Sequence, residues 1–113
     1  MKTVLLFPGQ GSQQLGMGQF LYNQFDEVRK LYQEASDALG IDMKKLCFDS
    51  SDAELAKTEN TQPALLLVST ATQETLRRLK PIEIQAVAGH SIGEYAALVA
   101  ARSIRFSDAI KAV

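Results

Sequence analysis

Short continuous apolar runs alternate along the chain with longer amphipathic stretches. Val4-Leu5-Leu6-Phe7 is halted by Pro8-Gly9, and a run so bounded predicts a buried strand meeting a loop. The loop, Pro8-Gly9-Gln10-Gly11-Ser12-Gln13-Gln14, is polar and glycine-rich. From about Gln24 to Leu39 the apolar positions Phe25, Val28, Tyr32, Ala35 and Leu39 fall at steps of three and four. That spacing predicts an amphipathic helix, with Gly40 as its C-terminal cap. Residues 41–59 are polar and irregular, and predict only one or two short helical turns.

Thr61-Gln62-Pro63 reads as a helix start, a cap residue followed by proline in the first turn. Ala64 to Val68 is apolar all round, so this helix begins buried on every side. Arg77, Arg78 and Lys80 suit its C-terminal dipole, and Pro81 breaks it. Ile84 to Ala88 predicts a second buried strand, Gly89-His90-Ser91 a turn, and Ile92 to about Ala101 a helix. Ser107 is the cap candidate for a last helix with Phe106, Ala109, Ile110 and Val113 on one face.

The order strand, helices, strand, helix indicates an α/β fold with a parallel sheet. Two features suggest an incomplete domain. Only two strands are visible where sheets usually hold about four to six, and the last helix stops without a cap on an apolar residue. Residues 1–113, with no internal boundary, are therefore expected to be the N-terminal portion of one larger domain, or one chain of a split one.

Composition narrows the possibilities. With 113 residues, 46% of them apolar and 22% charged, the chain makes one ordinary globular unit, neither disordered nor a disulfide scaffold. A net charge of −1 gives no basic surface for nucleic acid or anionic lipid. The single Cys47 fits a reducing compartment, and no apolar run approaches the ~20 residues that span a bilayer. A soluble, cytoplasmic protein without nucleic-acid or membrane partners is expected. There is one histidine, His90, and no metal-ligand spacing.

The chemistry concentrates in Gly89-His90-Ser91-Ile92-Gly93, a G-x-S-x-G pattern between a predicted strand and a predicted helix. In that context the serine takes a strained backbone conformation that lifts its hydroxyl from the carboxyl edge of the sheet. Gly89 and Gly93 are required because strand and helix approach too closely for a β-carbon. The helix start brings free N–H groups beside Ser91, where an oxyanion would form, and Ile92 supplies the first donor. If both strands run parallel in one sheet, the glycine-rich loop shares this edge. It lacks the endings of a phosphate-binding loop, and the Gln10 N–H fits better as a second oxyanion donor. A serine nucleophile needs a base. His90 is adjacent, but neighbouring side chains diverge in a sharp turn, so a structural or hydrogen-bonding place near the loop suits it better. The base is then expected beyond residue 113 or in another chain.

Three motifs resemble the malonyl-CoA:acyl carrier protein transacylase family, which includes the acyltransferase domains of fatty acid and polyketide synthases. They are Phe7-Pro8-Gly9-Gln10-Gly11-Ser12-Gln13, Thr61-Gln62-Pro63-Ala64-Leu65, and Gly89-His90-Ser91-Ile92-Gly93-Glu94-Tyr95 with Ala97-Leu98-Val99-Ala100. The resemblance runs from end to end of the chain. It implies an α/β-hydrolase-like large subdomain, incomplete here, and a ferredoxin-like small subdomain that is absent. It implies ping-pong transfer: Ser91 takes malonyl from coenzyme A and passes it to the phosphopantetheine thiol of an acyl carrier protein. Gln10 and Ile92 would form the oxyanion hole, with Gln62 and His90 at the substrate. Malonyl-CoA is then a substrate, and no cofactor is implied. In the family a branched aliphatic residue after the serine goes with malonyl, which Ile92 and the stretch from Thr58 to Pro63 fit.

The family's catalytic histidine and its carboxylate-gripping arginine lie downstream of Val113, so the missing C-terminal polypeptide is an implied partner. Arg102 stands eleven residues after Ser91, about 15 Å along a helix, and reads as a C-terminal helix charge where the family usually has glycine. Arg105 reads as solvated. Glu94 suits the dipole of its helix, Glu27, Glu34 and Asp37 read as a solvated face, and Cys47 as a small buried residue. Two alternatives share these residues: a serine hydrolase or thioesterase delivering the acyl group to water, and a non-catalytic carrier-protein-binding fragment.

Overall fold

The computed structural model of the chain describes residues 2–113. Its elements are β1 (Lys2–Phe7), α1 (Gln19–Gln24), α2 (Asp26–Leu39), α3 (Met43–Phe48), α4 (Asp52–Leu55), α5 (Thr58–Leu79), β2 (Glu83–Gly89), α6 (Gly93–Ala100) and α7 (Phe106–Ala112). The strands pair in parallel, in register from Lys2 against Glu83 to Phe7 against Gly89. The α/β class and the two-stranded parallel sheet follow the sequence pattern. Among the described residues no helix is long and apolar enough to cross a membrane.

Helix α6 packs on both strands and on α5, and α2 packs on α5 and α7. The core lies between these helices and one sheet face, around Phe7, Val28, Tyr32, Met43, Leu55, Leu66, Leu67 and Ile110. The strands differ from expectation: among the described residues they are covered on one side only. Phe7 is buried and Leu5 and Val87 are half-buried, whereas Val4 is 56% and Leu6 76% exposed. The alternation is that of a sheet with one face packed. Pairing slips between Thr3 and Val4, where Gln85 has no partner. That bulge lets Ile84 and Val87, three apart, share a half-buried side that strict alternation would deny them.

Helix α2 ends as the sequence predicts. Gly40 is left-handed, at φ 70°, and its N–H donates to the Ser36 carbonyl. The segment 41–59 holds the two short helices α3 and α4, each with a side-chain cap: Asp42 accepts from the Lys45 N–H and Ser51 from the Glu54 N–H. It is less polar in its role than in its composition, since Met43, Leu46, Cys47 and Phe48 are all buried.

Two helix starts differ from expectation. Helix α5 begins at Thr58, not at Thr61, with Pro63 in its second turn. Thr61 is not the cap: its hydroxyl donates to the Leu55 and Lys57 carbonyls. Pro63 has no N–H to give the Glu59 carbonyl four residues back, so one rung of the helix is missing there. Arg105, not Ser107, is the N-cap of α7, and no side chain completes that cap. Glu27 is not simply solvated, since it pairs with Arg78 of α5 at 3.1 Å.

Candidate active site

The register brings the ends of the two strands side by side, Phe7 against Gly89. The glycine-rich loop after β1 and the turn after β2 therefore leave the same carboxyl edge. The His90 N–H continues the ladder to the Phe7 carbonyl at 3.2 Å, which carries the pairing one residue into the turn.

Ser91 follows with φ 56°, one of two non-glycine residues with positive φ among those described. Its surroundings enforce the turn. A β-carbon on Gly89 would lie 2.0 Å from the Gly93 carbonyl oxygen, and one on Gly93 would lie 2.3 Å from that of Phe7. Both glycines are thus required by close approach, as the pattern predicts. The turn then tightens into α6 through Gly93 N–H to His90 O at 3.0 Å and Glu94 N–H to Ser91 O at 3.0 Å. Ser91 is exposed and Ile92 is 4% exposed, so the hydroxyl side of the turn faces outward and the Ile92 side chain inward.

The N–H groups of Ile92 and Gln10 donate to no acceptor among the described residues. In the loop, the Gly11 N–H is taken by Gln13 Oε1 and the Ser12 N–H by the Gly9 carbonyl. Two unspent backbone donors thus lie in the two segments that leave this sheet edge, one of them next to the exposed serine in the chain, and such donors suit developing negative charge. The His90 ring lies over Gly9, its Nδ1 3.1 Å from where a β-carbon there would stand. Its backbone carries the hydrogen bonds that hold the turn.

Gln62 is half-buried in the second turn of α5. It lies four residues after Thr58, on the same side of the helix, and Thr58 Oγ1 accepts from Gln10 Nε2 at 3.2 Å. The start of α5 is thereby tied to the glycine-rich loop. A contact across so much sequence leaves no local signal, and sequence reasoning missed it.

Arg102 lies at the far end of α6. It is left-handed, at φ 63°, and engages Glu74 of α5. Burial pushes the Glu74 carboxyl up, but hydrogen bonds from Arg102 and Gln73 and the charges of Arg102 and Arg77 outweigh it, leaving the group below its ordinary value. Arg77 donates to the Ala100 carbonyl at 2.6 Å, capping α6 from outside. Arg105 is exposed and pairs with Asp108 at 3.2 Å. Glu94 is exposed in the first turn of α6. Cys47 is fully buried, and burial pushes its thiol up to about 12, which keeps it an inert core residue.

A strand, a left-handed serine and a helix at the carboxyl edge of a parallel sheet define the class: an α/β protein with a serine elbow. The chain belongs to the acyl transferase domain family, which it matches over residues 4–113. It is similar to a Bacillus subtilis protein named malonyl CoA-acyl carrier protein transacylase, 47% identical over 108 residues that cover 96% of this chain and 27% of that one. A malonyl CoA-acyl carrier protein transacylase crystal structure from Clostridium perfringens superposes with a TM-score of 0.91 at 40% identity, covering 98% of this chain and 35% of that one. A malonyl-transacylase solved in complex with its type II polyketide synthase acyl-carrier protein superposes with a TM-score of 0.92 at 43% identity, covering 98% and 36%. The chain spans about a third of the length of these relatives.

Proposed function

We propose that the chain is the N-terminal, nucleophile-bearing portion of a single malonyl-CoA:acyl carrier protein transacylase domain, acting in the cytoplasm. The observation that supports it most directly is Ser91 itself: exposed, left-handed and flanked at the sheet edge by the unbonded N–H groups of Gln10 and Ile92. The Ser91 Oγ attacks the thioester carbonyl of malonyl-CoA and gives its proton to a base. The C–S bond breaks, coenzyme A leaves as the thiol with that proton, and malonyl stays on Ser91 as an ester. The phosphopantetheine thiol of an acyl carrier protein then attacks the ester, and the Ser91 oxygen recovers a proton as it leaves. In both halves the negative oxygen sits between the Gln10 and Ile92 donors.

The base and the malonyl carboxylate clamp come from polypeptide beyond Val113, as the resemblance implies. This chain has no second histidine, and His90 stands next to Ser91 in a sharp turn, where neighbouring side chains diverge. Arg102 is paired with Glu74 at the opposite end of α6 from Ser91. Gln62 lines the acyl pocket, as the resemblance implies.

The test is a chimera in which this chain replaces the matching segment of the Bacillus subtilis relative. On brief exposure to malonyl-CoA it should gain one malonyl group on Ser91 and lose it to added acyl carrier protein. Release of malonate to water in the presence of excess carrier protein would instead make it a hydrolase.

A further inference from the structure

The glycine-rich loop is braced at three points. Ser12 donates from its N–H and its Oγ to the Gly9 carbonyl at 3.4 and 2.8 Å, and the Gly11 N–H donates to Gln13 Oε1 at 2.8 Å. These bonds stay inside the loop. The third leaves it, from Gln10 Nε2 to Thr58 Oγ1 at 3.2 Å, joining residues 48 apart in sequence. Thr58 opens α5, a 22-residue helix whose residues Ala64, Leu66 and Leu67 are fixed in the core. The loop residue with a free N–H thus has its side chain fastened to a packed helix.

We propose that Thr58 is a positioning residue: its hydroxyl holds the Gln10 side chain and, through it, the direction of the Gln10 N–H. Gln10 sits between Gly9 and Gly11, the latter at φ 111°; the Ser12 bonds to the Gly9 carbonyl set the peptide plane that carries the Gln10 N–H within the loop, but they do not tie that loop to the rest of the fold. A donor that serves an oxyanion must be aimed before the charge forms. The anchor on α5 supplies the fixed point that the glycines do not. Gln10 and Thr58 are both exposed, so the bond itself is modest in water; its effect lies in the aim of the donor. What that donor does in catalysis rests on the acyl-transfer function proposed above, whereas the anchor is independent of it.

Two substitutions and two readouts separate these claims. Thr58→Val keeps the shape and removes the hydroxyl; Thr58→Ser keeps the hydroxyl. In the chimera labelled with 15N-glutamine and free of substrate, both the backbone and side-chain amide signals of Gln10 should move in T58V and stay near their wild-type positions in T58S. Unmoved Gln10 signals in T58V would overturn the anchor. In the chimera, T58V should lower the saturating rate of Ser91 acylation by about three- to tenfold, the bias that one solvent-exposed hydrogen bond can impose on the aim of the donor. KM should stay within about twofold, and T58S should recover most of the rate. A wild-type saturating rate in T58V, a loss confined to KM, or equal damage in T58V and T58S would overturn the positioning role. Failure of the unsubstituted chimera to label at Ser91 would count against the acyl-transfer function instead, and the glutamine spectra would still decide the anchor.

Discussion

Helix α6 is bounded at both ends by a residue in the left-handed region, Ser91 just before it and Arg102 just after it. The two do different things with the same backbone strain. At Arg102 the conformation completes an ordinary helix stop: the Arg102 N–H reaches the Val99 carbonyl at 3.0 Å and the Ser103 N–H reaches that of Leu98 at 2.9 Å. Those are the two bonds of a Schellman motif, in which glycine is the favoured residue. Its side chain is spent on Glu74. At Ser91 the conformation is forced by neighbours that leave no room for β-carbons at Gly89 and Gly93, and the side chain is left exposed. Strain alone therefore does not mark a site. Strain that is over-determined by packing and presents an unspent nucleophile beside unspent donors does.

That contrast can be broken most severely at the packing that enforces it. Gly89→Ala should destabilise by at least about 3 kcal/mol, because the added carbon meets backbone that cannot move aside. Urea unfolding measures it, and a loss below about 1 kcal/mol would mean the elbow is not close-packed. At Ser91 itself, Ser91→Ala should abolish acylation while leaving the fold. Ser91→Gly should also be inactive, yet more stable by up to about 1 kcal/mol as the left-handed strain is released. A destabilised glycine variant would show that the serine side chain holds the turn.

Arg102→Gly gives the smallest effect and the sharpest contrast. It releases similar strain, roughly 1 kcal/mol, and gives up a largely exposed ion pair worth only a few tenths of a kcal/mol once solvent screening is counted. A net gain of about 0.5 kcal/mol near neutral pH is expected, with acylation unchanged. The pH dependence has a definite sign. Arg102 helps hold the Glu74 carboxyl below its ordinary value of 4.5, so this stabilisation is present above that pH and lost as pH falls through the lowered value. The advantage of the glycine variant should therefore grow on acidification, as the wild type loses the pair and keeps the strain. A shrinking advantage would contradict it.

Local signals made much of this legible. The three-and-four spacing and Gly40 delimit α2, and G-x-S-x-G between an apolar run and a helical pattern fixes the elbow, because glycines needed for close approach are written in the sequence. Features set by distant partners were not. Apolar runs in β1 and β2 read as buried, but burial of Val4 and Leu6 needs a covering layer that the described residues do not provide. Pro63 drew the start of α5 to Thr61, since proline favours a first turn; Thr58, without a capping side chain before it, gave no start signal. The bonds of Gln10 to Thr58, Glu27 to Arg78 and Arg77 to the end of α6 each join segments far apart in the chain, and nothing near either partner announces them. Arginine at 102, where the resemblance leads one to expect glycine, suggested an altered turn, yet the left-handed Schellman stop forms there all the same.

The most direct measurement is the intact mass, under denaturing conditions, of the chimera before and after malonyl-CoA, with peptide mapping of any adduct. One malonyl group on Ser91, absent in Ser91→Ala and discharged by acyl carrier protein, is the predicted result. No adduct, or an adduct elsewhere that survives Ser91→Ala, would contradict the assignment of Ser91 as the nucleophile.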